Sequence, residues 1–159
     1  ADTDIEWHFI GHLQSNKAPD ISRHFTWVHG LDQLRHAERL SDRRPGELQP
    51  LQVCLQVNLS GESSKGGVAP DALLELAQAV GRLPRLQLRG LMTMPDPNSS
   101  RDSQRRVFAR LSALLVELKE QGLDLDTLSM GMSGDMEDAI AEGATIVRIG
   151  TDIFGARTT

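Results

Sequence analysis

Two short loops hold the residues best suited to chemistry. Ser133-Gly134 follows one apolar run and leads into a helical pattern, and Gly150-Thr151 follows the next. Each pair sets a hydroxyl beside backbone N–H groups that no side chain shields, which is the equipment for holding a phosphate. In many (β/α) barrels phosphate binds at the loops after the last two strands, so the joint placement says more than either pair alone. Taken singly, Ser133 reads equally as a helix N-cap and Gly150 as a turn residue. Arg148 lies two residues before Gly150, and strand alternation puts both on one face. On an interior face its guanidinium would sit beside the phosphate, able to donate to a ring nitrogen or to a second anionic group. On an exterior face it would pair with a helix carboxylate.

Other chemistries lack their residues. No G-x-G-x-x-G follows a strand, and GESSKGG (61–67) does not have the P-loop order. His8 and His12 are spaced i, i+4 but span a strand and the turn after it, so they need not share a face and no metal site is expected. The sequence has no tyrosine, which removes a phenol as acid or base, and its only lysines are Lys17, Lys65 and Lys119. A net charge of -5 argues against a nucleic-acid partner. The single cysteine, Cys54, cannot form an internal disulfide, which favours a reducing, cytoplasmic setting. No apolar run approaches the roughly 20 residues needed to cross a bilayer, so no membrane partner is expected.

These loops need a scaffold, and the pattern of the 159 residues supplies one. Short β-like runs alternate with helical stretches throughout, the signature of an α/β fold. The runs are 7–10, 26–29, 51–59, 86–94, 127–132 and 145–150. The periodicity predicts helices over 31–43, 68–83, 101–121 and 135–142. Leu31, Leu34, Ala37, Glu38 and Leu40 mark the first, and Val107, Phe108, Leu111, Leu114, Leu115 and Leu118 form the stripe of the longest. One domain over residues 1–159 is expected. A complete (β/α)8 TIM-type barrel needs eight strands and about 250 residues. Six strands, and a start without methionine, predict a partial barrel with about six of eight βα units, truncated by roughly two units on its N-terminal side.

WHFIGHLQSNK (7–17), LQVNLSGESSKGG (55–67), LRGLMTMP (88–95), LSMGMSGDMEDAIAEG (128–143) and VRIGTDIFGAR (147–157) are long, specific motifs. Together they resemble the pyridoxal phosphate homeostasis protein family over nearly the whole chain. That family is similar in fold to the N-terminal barrel of alanine racemase, of fold type III. The resemblance implies pyridoxal 5'-phosphate as cofactor, its phosphate held by Ser133 and Gly150-Thr151, with Arg148 facing the pyridine nitrogen. It also implies that Asn58, Met94, His12 and Asn16 line the pocket. Family members carry a Schiff-base lysine on a strand ahead of the WHFIG segment, a strand missing from this sequence, and Lys65 is the one substitute it offers.

An arginine keeps its proton, so it would leave the ring nitrogen unprotonated and weaken the electron sink. With no tyrosine as opposing base, two-base racemisation lacks its equipment. The expectation is an intracellular cofactor carrier or regulator of vitamin B6 pools, not an enzyme, and a monomer when full length. A phosphosugar-type barrel enzyme using the same loops is the alternative. A third is an assembly module associating through its exposed strand edge.

Overall fold

The computed structural model describes residues 4–158. Six strands, β1 (His8–Phe9), β2 (Trp27–Leu31), β3 (Leu51–Gln56), β4 (Leu86–Met92), β5 (Thr127–Met132) and β6 (Ile146–Arg148), form one sheet in sequential order. All five pairings are parallel. Helices α1 (Ala18–His24), α2 (Leu34–Arg43), α3 (Leu73–Gly81), α4 (Arg101–Glu120), α5 (Met136–Ala141) and α6 (Thr151–Phe154) follow the strands in turn.

Alternation along the strands sorts side chains to two faces. Val28, Leu31, Val53, Leu55, Leu88, Leu91, Leu128 and Met130 join the helix residues Leu40, Leu76, Val80, Phe108, Leu111 and Leu118 in the main core. Trp27, Cys54 and Met92 form a second, smaller cluster with Ile10 of the β1 end and Ile146 of β6. Residues from the two edge strands thus meet over the middle of the sheet, which requires it to curl. A hydrogen bond makes the same point. His29 Nδ1 on β2 lies 2.6 Å from Ser129 Oγ on β5, whereas three strand spacings in a flat sheet would separate them by about 14 Å. The sheet is therefore a partial barrel of the TIM type. Among the described strands β1 pairs only with β2 and β6 only with β5, so it is open between them.

Several expected boundaries shift. Leu31 belongs to β2, and α2 buries His36, Ala37, Leu40 and Ser41 while Leu34 is exposed. Its buried stripe is therefore turned from the one predicted. Val68 pairs with Val57 as an isolated bridge, and a 3-10 turn at Pro70–Ala72 precedes α3. Helix α4 matches its prediction closely, with Ser100 as N-cap accepting from the Ser103 N–H. Helices α1 and α6 were not predicted, being seven and four residues long and too short for a helical period to stand out.

Two glycines fix strand geometry along β5. A Cβ at Gly90 would lie 1.8 Å from the Thr127 carbonyl oxygen, so β4 and β5 approach there as only glycine allows. Gly131 has φ +103 where the β5–β6 register shifts between Ser129 and Met132. That irregularity carries the chain from the interior Ser129 to the Ser133 loop.

Candidate functional site

The loop after β5 meets the loop after β6. Ser133 Oγ accepts from the backbone N–H of Gly150 at 3.3 Å and of Asp152 at 3.4 Å. The hydroxyl thereby caps α6 from a neighbouring loop, and its own hydrogen remains to be donated. The N–H groups of Gly134 and Thr151 make no hydrogen bond among the described residues. A Cβ at Gly134 or Gly150 would meet nothing within 4 Å, and neither needs a left-handed backbone. Packing does not require glycine at either place, and the two positions keep the approach to these donors clear.

Arg148 points into the barrel and is 8% exposed. Its Nη1 donates to Ser129 Oγ at 2.6 Å and its Nη2 to the Thr93 carbonyl at 3.1 Å. Its Nε is buried and, among the described residues, without a partner. Among the described residues no carboxylate pairs with it, and burial lowers its pKa below the usual arginine value, an effect that Asp135 opposes. The alternative of an exterior salt bridge is thereby set aside.

Behind Arg148 the polar interior continues. Ser129 Oγ contacts His29 Nδ1 at 2.6 Å, and His29 Nε2 contacts His8 Nδ1 at 2.8 Å. His29 is fully buried, and burial, then the neighbouring His8 and Arg148, push its pKa down to about 3. His8 stacks on Trp27 with ring centroids 5.3 Å apart, and the Arg89 guanidinium lies 4.9 Å from the Trp27 ring centroid. Arg89 is itself held by both oxygens of Asp126.

The remaining expected residues divide. Asn58 and Met94 line one cavity of about 230 Å³ at the C-terminal ends of β3 and β4, together with Gln56, Gly66 and Thr93. Thr93 connects this cavity to Arg148 through its carbonyl. The Asn58 side chain is engaged inside its own loop, donating to the Glu62 and Lys65 carbonyls and accepting from the Ser60 N–H and hydroxyl. It shapes the wall of the cavity. His12 is exposed and packs against Gly66, where a Cβ would come within 2.6 Å of its ring. Asn16 is exposed in the 3-10 turn Ser15–Lys17, and among the described residues no hydrogen bond joins it to the others. Lys65 Nζ sits 3.6 Å from Glu62 and 3.7 Å from Asp96, a tethered loop charge. His8 turns inward and His12 does not, so the i, i+4 pair is separated. Among the described residues no three metal-ligating side chains gather.

Sequence reasoning missed Ser129, His29 and Thr93. His29 had a signal, since it alternates with Trp27 along β2. Nothing local marked Ser129, whose partners come from β2 and β6.

The family model for the alanine racemase N-terminal domain matches residues 1–158. The pyridoxal phosphate homeostasis protein of Pseudomonas aeruginosa is 59% identical over 157 residues, covering 99% of this chain and 67% of that protein. Its counterpart in Escherichia coli strain K12 is 54% identical over 155 residues, covering 98% and 66%. The chain thus spans about two thirds of the length of these relatives. PipY of Synechococcus elongatus, solved with PLP bound, superposes with a TM-score of 0.88 at 39% identity over 97% of this chain and 72% of that one. Alanine racemase of Clostridium difficile superposes at 0.78 with 15% identity, covering 99% of this chain and 41% of that one, a likeness of fold alone. With its six-stranded partial barrel and its length matched almost end to end, the chain belongs to the alanine racemase N-terminal domain family, among the pyridoxal phosphate homeostasis proteins.

Proposed function

We propose that this chain builds the phosphate and ring-nitrogen side of a pyridoxal 5'-phosphate site, in a protein that holds the cofactor and regulates its supply without turning over a substrate. The observation that carries the reading is Arg148. A buried cation with two neutral acceptors, no bonded carboxylate and an unpartnered Nε is costly to keep without a ligand acceptor. A pyridine nitrogen is such an acceptor. The Ser133 hydroxyl and the Gly134 and Thr151 N–H groups offer donors to a phosphate at the same end of the barrel. Met94 and Asn58 wall the adjoining cavity, and His12 packs against Gly66 of its lining.

When bound, pyridoxal phosphate supplies an electrophilic carbonyl and an electron-withdrawing ring. Arg148 donates a hydrogen bond to the nitrogen and keeps its proton, so the ring's electron demand stays low. The chain contributes no tyrosine as a base opposite the ring. Both features favour holding the cofactor over racemising with it. The names of the relatives, and a neighbour solved with PLP, support the same ligand.

Equilibrium dialysis of the full-length protein against pyridoxal phosphate, pyridoxal and inorganic phosphate tests the reading. Pyridoxal phosphate is expected to bind at least about tenfold more tightly than pyridoxal, the worth of one charge-assisted contact. Arg148→Met should lose a similar factor for pyridoxal phosphate and for pyridoxal, both of which carry the ring nitrogen, and leave inorganic phosphate unchanged. Equal binding of pyridoxal and its phosphate, or an unchanged Arg148→Met, would count against the site.

A further inference from the structure

The donors and acceptors behind Arg148 can be counted. Arginine only donates, so Ser129 Oγ accepts from Nη1. If the serine hydroxyl then donates to His29 Nδ1, neutral His29 carries its proton on Nε2 and donates to His8 Nδ1. Every buried group on the path is satisfied. In the reverse order His29 would donate to Ser129, whose oxygen would accept twice and whose hydrogen would lie buried with no partner. The count selects one direction, from Arg148 through Ser129 and His29 to His8.

We infer that Ser129 and His29 are positioning residues for Arg148, forming with His8 a one-way hydrogen-bond chain that fixes the guanidinium with Nε left for the ligand. The inference deepens the reading of Arg148 as the ring-nitrogen contact and rests on it. Ser129 acts by giving Nη1 an acceptor whose own hydrogen is committed elsewhere, and the Thr93 carbonyl holds Nη2. With both held, the planar guanidinium cannot rotate, and its third donor is aimed without further ordering when a ring arrives. Remove the acceptor on His29 and the Ser129 hydroxyl turns freely; remove Ser129 and Nη1 competes with Nε for the ligand.

Histidine 15N NMR of the ligand-free, full-length protein reads the chain directly. Neutral Nε2–H tautomers are expected at both His29 and His8, and a proton on His29 Nδ1 overturns the direction. Ser129→Ala should weaken pyridoxal phosphate by about tenfold while leaving inorganic phosphate unchanged, and Ser129→Thr, which keeps the hydroxyl, should restore it. Equal weakening of both ligands would show a merely structural role and overturn the proposal. Arg148→Met separates the two levels. Unchanged pyridoxal phosphate affinity there overturns the ring-contact reading and the positioning role built on it. Weakening in Arg148→Met with none in Ser129→Ala overturns the positioning role alone.

Discussion

His29 makes the stability of this fold depend on pH in a way that one substitution should remove. Folded, it stays neutral down to a pKa of about 3, because burial disfavours the imidazolium first and His8 and Arg148 add like charge. Unfolded, it takes up a proton near pH 6.5. Between those values the unfolded state binds the extra proton, so stability rises with pH. The contribution is fully present above pH 6.5 and is lost as pH falls from there toward 3. Moving from pH 7 to 4.5 should cost on the order of 2.5 kcal/mol from this residue. His8 and His36, also lowered by burial, act in the same sense, so wild type alone cannot isolate the effect. His29→Gln does not titrate. Urea unfolding of both proteins at pH 7, 5.5 and 4.5 gives the comparison, read as the difference between their pH slopes and not as absolute stability, since the variant also alters hydrogen bonds. Equal slopes would show that His29 is protonated in the folded state or is exposed to water.

Gly150→Val should leave the melting temperature nearly unchanged, since its Cβ meets nothing within 4 Å, yet should weaken inorganic phosphate severalfold by dialysis; unaltered phosphate binding would remove Gly150 from the site. Gly90→Ala should destabilise by about 3 kcal/mol in urea titration, because the Thr127 carbonyl already occupies the methyl's place, and a variant as stable as wild type would refute the close approach. Cys54, fully buried with its thiol pushed up to about 12, should react with a chromogenic disulfide at pH 8 only at the rate of unfolding; rapid native labelling would contradict that burial.

The alternation of strand and helix was readable because each parallel crossover repeats a local pattern: an apolar run, a turn, an amphipathic stripe. Helix α4 shows it best, its buried Phe108, Leu111, Leu114, Leu115 and Leu118 all lying on one 3.6-residue stripe. Helix α2 shows the limit. Arg44 at its C-terminal end donates to the carbonyls of Ser22, Phe25 and Gln49, and its buried face carries His36 and Ser41, whose hydroxyl donates to the Pro84 carbonyl, in place of some of the apolar residues that periodicity seeks. Helix α1 escaped for a related reason. It buries Ala18, Ile21 and Ser22 within seven residues, less than two full turns in which a period could repeat.

The site divides along the same line. Ser133, Gly150 and Arg148 were legible because each sits at a fixed offset from its own strand, and the barrel's symmetry brings the ends of adjacent strands together. Ser129 and His29 belong to strands that are not neighbours, and the 2.6 Å contact between them exists only because the sheet curls. Curvature is a property of the whole interior, set by Trp27, Cys54, Met92, Ile10 and Ile146 packing on one another, and no window of sequence contains it. What sequence could show is that Arg148 and Gly150 share a face; that this face is the interior is settled by the curled sheet. Which neutral oxygens hold the arginine, and which donor is left over, depends on residues from β2, the end of β4 and β5 meeting at one point, so the proposed ring contact and its support become visible only once the sheet has curled around them.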